Sequence, residues 1–216
     1  MKSSEMIDEL TYQLDENTKR HLPTYKDLLL FGNTNSVFLK AIMKKACSFG
    51  VSCNIYQDNI SNHNISRQDG IVVDMEAFEG SAWHPNWNPV NDLDGIIYNA
   101  RPCVTTAMIR LLEKANLVSG KSITIVGRGH STAGLAEYLI QNDATITVAH
   151  SKTPDLFSAT HDRDVVLLCA PKLDQDISYN TKAMVIDLGL AAPHPEQYSC
   201  DYVTRIGKLT ISILLN

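Results

Sequence analysis

The sequence predicts an α/β fold in two domains with parallel sheets, and three observations predict it. Short, largely apolar runs such as Leu28–Phe31, Ile71–Val73 and Ile123–Val126 read as strands buried on both faces. Segments of helical period lie between them. A glycine-rich turn, Gly127-Arg128-Gly129-His130-Ser131, joins one such strand to one such helix. The chain has 216 residues, room for one large domain or two small ones, and 44% of them are hydrophobic, enough for a core.

From the N-terminus, Ile7, Leu10 and Leu14 give Met6–His21 a helical period, and Pro23 stops it. Leu28–Phe31 is a strand ending at Gly32, and Asn33–Ser36 has turn and N-cap chemistry. A helix is predicted over Val37–Phe49, with Phe38, Ile42 and Cys47 on its apolar face and Gly50 ending it. Ser52–Tyr56 is the next strand, completing a βαβ-like unit. Asp58–Gln68 is polar and reads as a loop with at most one helical turn. Ile71–Val73 is a short buried strand. Glu76–Asn91 holds two Trp and two Pro and reads as an ordered, non-helical flap. Asp92-Leu93-Asp94-Gly95 is a turn, and Met108, Leu111, Leu112 and Ala115 mark a helix over Thr105–Asn116.

Gly120 opens the second half. Ile123–Val126 is a strand, Thr132–Asn142 a helix and Thr145–Ala149 a strand; Asp164–Ala170 and Ala183–Leu188 are two more strands. The alternation predicts a parallel sheet covered by helices on both faces.

Charged residues make up 20% of the chain and the net charge is -5. Nucleic-acid binding needs clustered excess Lys and Arg, so that class is excluded as a partner. No apolar run has the length of a membrane span, and MKSSEMIDEL is acidic where a signal peptide would be apolar. A cytoplasmic location is expected. The five cysteines are spread without a C-x-x-C pair, so neither a disulfide framework nor a zinc ribbon is indicated. The seven histidines show no metal-ligand spacing, so no metal is expected.

A strand, a glycine turn and a helix make a phosphate-binding geometry, in which glycine admits the pyrophosphate and the helix start offers N–H groups. Gly127, Gly129 and Gly134 depart from G-x-G-x-x-G, and tight strand-to-helix turns need glycine anyway. The end of the second strand adds to the signal. NAD sites place a carboxylate there for the ribose hydroxyls; here the residues are His150-Ser151-Lys152-Thr153. Hydroxyl and ammonium groups suit a 2′-phosphate, and Arg128 adds a second cation. The bland alternative is a solvated loop lysine. This half therefore reads as a Rossmann-like NAD(P)-binding domain over residues 117–204, with NADP expected ahead of NAD.

Six segments in order resemble the bifunctional methylenetetrahydrofolate dehydrogenase/cyclohydrolases. N-D-L-D-G (91–95) is similar to K-D-V-D-G, and Pro102-Cys103 with a following L-L-E to P-C-T-P-x-G then L-L. G-K-S-I-T-I-V-G-R-G (120–129) resembles G-K-x-x-x-V-I-G-R-S, and A-T-I-T-V-A-H-S-K-T (144–153) resembles A-T-V-T-x-x-H-S-x-T. V-I-D-L-G-L (185–190) is similar to V-I-D-V-G-I, and G-K-L-T-I-S-I-L (207–214) to G-P-M-T-V-A-M-L. The resemblance implies a two-domain enzyme, usually a homodimer, that oxidises methylenetetrahydrofolate with NADP and hydrolyses the methenyl product. It implies a folate-type N-terminal domain over 1–116, with 205–216 packing back on it. It places Gly127, Arg128, Gly129, Ser151, Lys152, Thr153 and Leu190 at the cofactor, and Asp74, Asp94, Gly207 and Thr210 at a reduced-folate substrate.

The departures concern the folate side. The family's S-x-x-Y-x-x-x-K-x-K-x-C helix, anchored on Ser36 and Cys47, puts Leu39 at its Tyr and Met43 at its catalytic Lys. A thioether relays no protons. Anchoring on Gly32 instead puts Lys44 at the catalytic place; in the first register Lys44 lies about 100° further round the helix. The family's Gln becomes Asp74. Its P-V-P-G-G-V-G-P-M-T loop is shortened to Arg205-Ile206-Gly207-Lys208-Leu209-Thr210, and the helix between 57 and 69 is largely missing. Asp94, the family's pterin contact, survives, although Asp before Gly is also ordinary turn chemistry.

Three readings follow. In the first, the chain is a dehydrogenase without cyclohydrolase activity, because hydride transfer needs mainly positioning whereas hydrolysis needs an activated water. Asp94 and Lys44 are then the candidate catalytic groups. In the second, it is a non-catalytic descendant that binds a nucleotide or a partner. In the third, it is a reductase for another small molecule with Trp83 and Trp87 in a new pocket wall, although aromatic pairs more often simply pack.

Overall fold

The computed structural model describes residues 2–21, 23, 25–58, 60–66, 68–74, 92–95, 101–170, 173, 177, 179–188, 200–204 and 206–216. The chain divides into two compact units, one of residues 12–103 with 211–216 and one of residues 1–11 with 104–210. The helix at 103–114 thus falls almost wholly in the second unit, whereas 1–116 is the extent expected of the N-terminal domain. The Ser3–Arg20 helix and the C-terminal helix are each shared between the units. The Trp83–Trp87 flap and Leu190 lie outside the described residues.

The smaller sheet is parallel, in the order β2-β1-β3, with β1 at Asp27–Phe31, β2 at Ser52–Tyr56 and β3 at Gly70–Val73. A parallel bridge from Ile71 to Asp92 extends it by one position beyond β3. Alternation along β1 sends Leu28 and Leu30 to one face and Leu29 and Phe31 to the other. The first pair packs with Leu39, Ile42 and Ala46 of α2 (Val37–Ser48) and with Ile211, Leu214 and Leu215 of the C-terminal helix α6 (Ile206–Leu215). The second pair packs with Ile60, Ile65, Ile71 and Val73. Burying each such side chain is worth about 1.5–3 kcal/mol, which is why an uninterrupted apolar run is tolerated here. Ser36 caps α2, its Oγ accepting the Leu39 N–H at 3.2 Å. Among the described residues of the expected loop at 58–68, the regular structure is the 3₁₀ turn Ile60–Asn62.

The larger sheet has five parallel strands in the order β5-β4-β6-β7-β8. They are β4 Ser122–Val126, β5 Thr145–Ala149, β6 Val165–Leu168, β7 Met184–Asp187 and β8 Asp201–Val203. Val126, Ala149, Leu156, Val166, Leu168 and Val185 form one of its cores.

Helix boundaries depart from expectation where a distant group supplies the cap. The first helix, α1, begins at Ser3 rather than Met6, because the Asp201 carboxylate accepts the Ser3 N–H at 3.2 Å and its hydroxyl at 2.5 Å. The third, α3, is Cys103–Lys114 rather than Thr105–Asn116. The predicted helix 132–142 is corrected: a 3₁₀ turn at His130–Thr132 and a left-handed Gly134 precede α4, which covers only Leu135–Gln141. A short α5, Leu156–Thr160, is capped by Asp155 and went unread in the sequence, as did β8. Residues 206–210, read as a shortened loop, are helical from Ile206.

Candidate functional site

In the five-stranded unit, β4 has β5 on one side and β6 on the other. Chain connections therefore diverge beyond the carboxyl end of β4, and open α/β sheets bind ligands at such a switch point. Gly127 occupies that end with φ +114. Its N–H donates to the Ala149 carbonyl at 2.8 Å. A Cβ there would lie 3.0 Å from the Cys169 carbonyl carbon, so glycine is required by conformation and by space. Gly129 differs: its backbone is extended (φ -76, ψ -179), and a Cβ would meet nothing within 4 Å. Its missing side chain leaves an open approach to the backbone, which fits a pyrophosphate. The helix dipole contributes less than expected here, because α4 starts only at Leu135 and the turn itself opens a 3₁₀ segment. Thr105, fully buried on α3, fixes the turn by donating to the Ser131 carbonyl at 2.7 Å. A hydroxyl in a helix is an ordinary sequence feature, and nothing local marked this one.

Beyond β5 the chain closes a rigid turn. The Thr153 N–H donates to the His150 carbonyl at 2.8 Å, and the Thr153 hydroxyl accepts the His150 N–H at 2.9 Å. The Lys152 N–H donates to His150 Nδ1 at 3.1 Å, which leaves the ring proton on Nε2. Ser151, Lys152 and Arg128 are exposed. The nearest carboxylate in sequence, Asp155, is engaged by the Ser158 N–H at 2.9 Å and hydroxyl at 2.5 Å, bonds that lower its pKa. The turn thus offers cations and hydroxyls while its acid is turned to capping α5.

Further along the same carboxyl edge, Asp187 is buried and accepts the Tyr202 hydroxyl at 2.5 Å. Burial, and then the Asp187 charge, push the Cys169 thiol up to about 12. The Asp187–Tyr202 pair was not read from the sequence. An Asp at the end of an apolar strand was its one available signal.

In the three-stranded unit, Gly32 ends β1 with φ +149, and a Cβ there would lie 2.8 Å from the Asp74 Cβ. The Asp74 N–H donates to the Phe31 carbonyl at 2.8 Å. Asp74 follows β3, and Asp94 follows the bridge residue Asp92, so both half-buried carboxylates lie past the carboxyl ends of adjacent positions in one sheet. Asp94 Oδ1 accepts the Cys103 N–H at 3.0 Å and thereby caps α3. Burial, and then Asp94, push the Cys103 thiol upward.

The α2 positions of the family's Tyr and Lys are apolar and inward: Leu39 is fully buried, and Met43 packs on the same core. Lys44 is exposed. Lys45 is drawn inward, its Nζ 2.7 Å from Asp15 Oδ1 of α1 and 2.5 Å from Ser212 Oγ of α6. Gly207 is exposed in the first turn of α6. Thr210 is buried, and its hydroxyl donates to the Ile206 carbonyl at 3.1 Å. Among the described residues no group of three His, Cys, Asp or Glu is placed to hold a metal, and no helix is long and apolar enough to cross a membrane.

The family model for the tetrahydrofolate dehydrogenase/cyclohydrolase NAD(P)-binding domain matches residues 102–215. The bifunctional protein FolD of Pseudothermotoga lettingae is 34% identical over 151 residues, 60% of this chain and 54% of that protein. The FolD protein of Clostridium beijerinckii is 30% identical over 203 residues, 79% of this chain and 72% of its own length. The first relatives matched are covered over only 33% to 66% of their length. Among solved structures, the Trypanosoma brucei methylenetetrahydrofolate dehydrogenase-cyclohydrolase, complexed with NADP and an inhibitor, superposes with a TM-score of 0.70 at 20% identity. That superposition covers 100% of this chain and 94% of the other, and it establishes the two-domain, Rossmann-like fold.

Proposed function

The chain belongs to the tetrahydrofolate dehydrogenase/cyclohydrolase family, and on that premise we propose that it is an NADP-linked methylenetetrahydrofolate dehydrogenase without cyclohydrolase activity. The observation that carries the cofactor choice is the turn after β5, where Ser151 and Lys152 are exposed and Asp155 is committed to Ser158. Lys152 and Arg128 hold the 2′-phosphate, with Ser151 and Thr153 as hydroxyl partners. Gly127 and Gly129 admit the pyrophosphate, and Leu190 is assigned to the cofactor on the family resemblance alone. Bound there, the nicotinamide supplies the hydride acceptor. Asp94 accepts hydrogen bonds from the amino and ring N–H groups of a pterin, and Asp74 stands where the family has Gln. Gly207 borders the substrate. Met43 and the exposed Lys44 leave no ammonium at the position that activates water, so the methenyl product is released unhydrolysed. The chain acts in the cytoplasm as a homodimer.

A specific observation favours a second reading, a catalytically inactive descendant that binds a nucleotide or a partner. Leu39, Met43 and Thr210, at or near folate-side positions, all serve packing. Calorimetry with a reduced folate, in the presence of NADP, separates the two. Binding that Asp94→Asn weakens supports the enzyme. Absence of any folate binding at millimolar concentration, with NADP binding retained, decides for the inactive descendant.

A further inference from the structure

At the carboxyl edge of the five-stranded sheet, the strand exits are tied to one another in order. The Gly127 N–H donates to the Ala149 carbonyl at 2.8 Å, the Cys169 N–H to the Val126 carbonyl at 2.8 Å, and the Leu188 N–H to the Leu168 carbonyl at 2.9 Å. These bonds run from β5 across β4 and β6 to β7. The next link is made by side chains. β8 has three residues, and its register with β7 ends at Ile186 opposite Val203, one position short of Asp187. There the Tyr202 hydroxyl donates to Asp187 Oδ2 at 2.5 Å.

Strand alternation explains the meeting. Asp187 shares a face of β7 with Val185, and Val185 is the register partner of Tyr202. On that face the edge row of the sheet reads Ala149, Val126, Leu168 and Asp187, all buried. A carboxyl group in an otherwise apolar row is costly without a donor, and Tyr202 brings one. The Tyr202 ring is itself held. It packs against the core that contains Val126, Leu168 and Val185, and the Tyr179 ring meets it edge-on with centroids 6.3 Å apart. Asp187 also acts on Cys169, the first residue beyond β6, whose thiol its charge helps to push up. The Cys169 carbonyl carbon lies 3.0 Å from the place of a Cβ on Gly127. A run of contacts thus leads from β8 to the glycine turn.

With the pyrophosphate at the end of β4 and the 2′-phosphate at the turn after β5, the adenosine half of a dinucleotide extends to one side of β4. The nicotinamide half extends to the other side, over the exits of β6 and β7. We propose that Tyr202 is a positioning residue for that half: through Asp187 it fixes the ends of β6 and β7 on which the nicotinamide riboside rests. This inference rests on the NADP reading above. The Tyr202 hydroxyl touches no part of the cofactor. It holds the Asp187 side chain, and with it the backbone leading to Leu188, before the ligand arrives. A floor set in advance keeps the affinity that ordering it on binding would remove.

Calorimetry on the full chain tests this with two ligands: NADP, and adenosine 2′,5′-bisphosphate, which carries the adenosine half and the 2′-phosphate without the nicotinamide. Tyr202→Phe removes the hydroxyl alone. It should bind NADP about fivefold more weakly, the worth of one hydrogen bond, and bind the bisphosphate as the unsubstituted chain does. Asp187→Leu removes the same link with a side chain that suits the apolar row. It should show the same split, and it carries the test if Tyr202→Phe does not fold. A purely structural role would weaken both ligands alike. Equal weakening of the two, or unchanged NADP affinity, overturns the proposal and leaves the cofactor assignment standing. An unsubstituted chain that binds neither ligand overturns that assignment and the proposal together.

Discussion

Asp94 holds the Cys103 N–H, so Asp94→Ala removes a helix cap as well as a candidate pterin ligand. The cap alone is worth about 1 kcal/mol. Asp94→Asn keeps an acceptor for the cap and removes the charge. It should keep most of the stability and the whole of NADP binding while losing folate affinity. Equal folate affinity in Asp94→Asn and the unsubstituted protein would take Asp94 out of the site. Lys152→Ala should weaken NADP about tenfold, the value of one charge-assisted hydrogen bond, and leave NAD unchanged. Calorimetry with both nucleotides checks this, and an equal loss for the two would falsify the 2′-phosphate role. Methenyltetrahydrofolate should decay at its spontaneous rate in the presence of the protein. If decay is faster, Lys44→Ala must abolish the excess for Lys44 to be its source. The correspondence of Leu39, Met43 and Asp74 to the family's Tyr, Lys and Gln came from the resemblance to the family's motifs. The capping duty of Asp94 and the buried hydroxyl of Thr210 were not legible, since both depend on partners that local periodicity does not reveal.

At the scale of elements, Lys45 links three helices through Asp15 and Ser212, and its side chain and that of Asp15 are 19% and 24% exposed. Lys45→Met should cost about 1–2 kcal/mol, between the values of exposed and buried pairs. Urea unfolding checks it, and an unchanged midpoint contradicts it. Asp164 joins the β4 and β6 starts, accepting the Ser122 N–H and hydroxyl at 2.8 Å each. Those bonds, the backbone one first, lower its pKa. Its stabilisation is therefore present above the unfolded carboxylate value, about pH 4, and is lost as pH falls through the lower folded value. The acid-induced loss of stability should be smaller in Asp164→Asn, and identical pH profiles would refute the assignment. β1 to β7 were legible because short runs of strand character bounded by glycine or polar turns specify them, whereas the three-residue β8 was not. The boundaries of α1 and α3 were not, because Asp201 and Asp94 cap them from elsewhere. Residues 132–134 precede α4, and it is the left-handed Gly134 (φ 70) that sets the start of that helix at Leu135.

At the scale of the whole molecule, the parallel sheets and the order of the six family-like segments determine the fold, and the cofactor edge keeps its glycines and its hydroxyl-and-lysine turn. On the proposed reading the folate side keeps Asp74 and Asp94, while Leu39 and Met43 pack in the small-sheet core. These two halves make opposite demands on the reading: the first calls for a working oxidoreductase, the second for a reduced one. Turnover decides between them. The purified chain, given methylenetetrahydrofolate with NADP or NAD in turn, should produce reduced cofactor faster with NADP, and methenyl product should accumulate in equal amount without enzymatic hydrolysis. No reduced cofactor with either nucleotide, from protein that binds NADP, would contradict the proposed dehydrogenase.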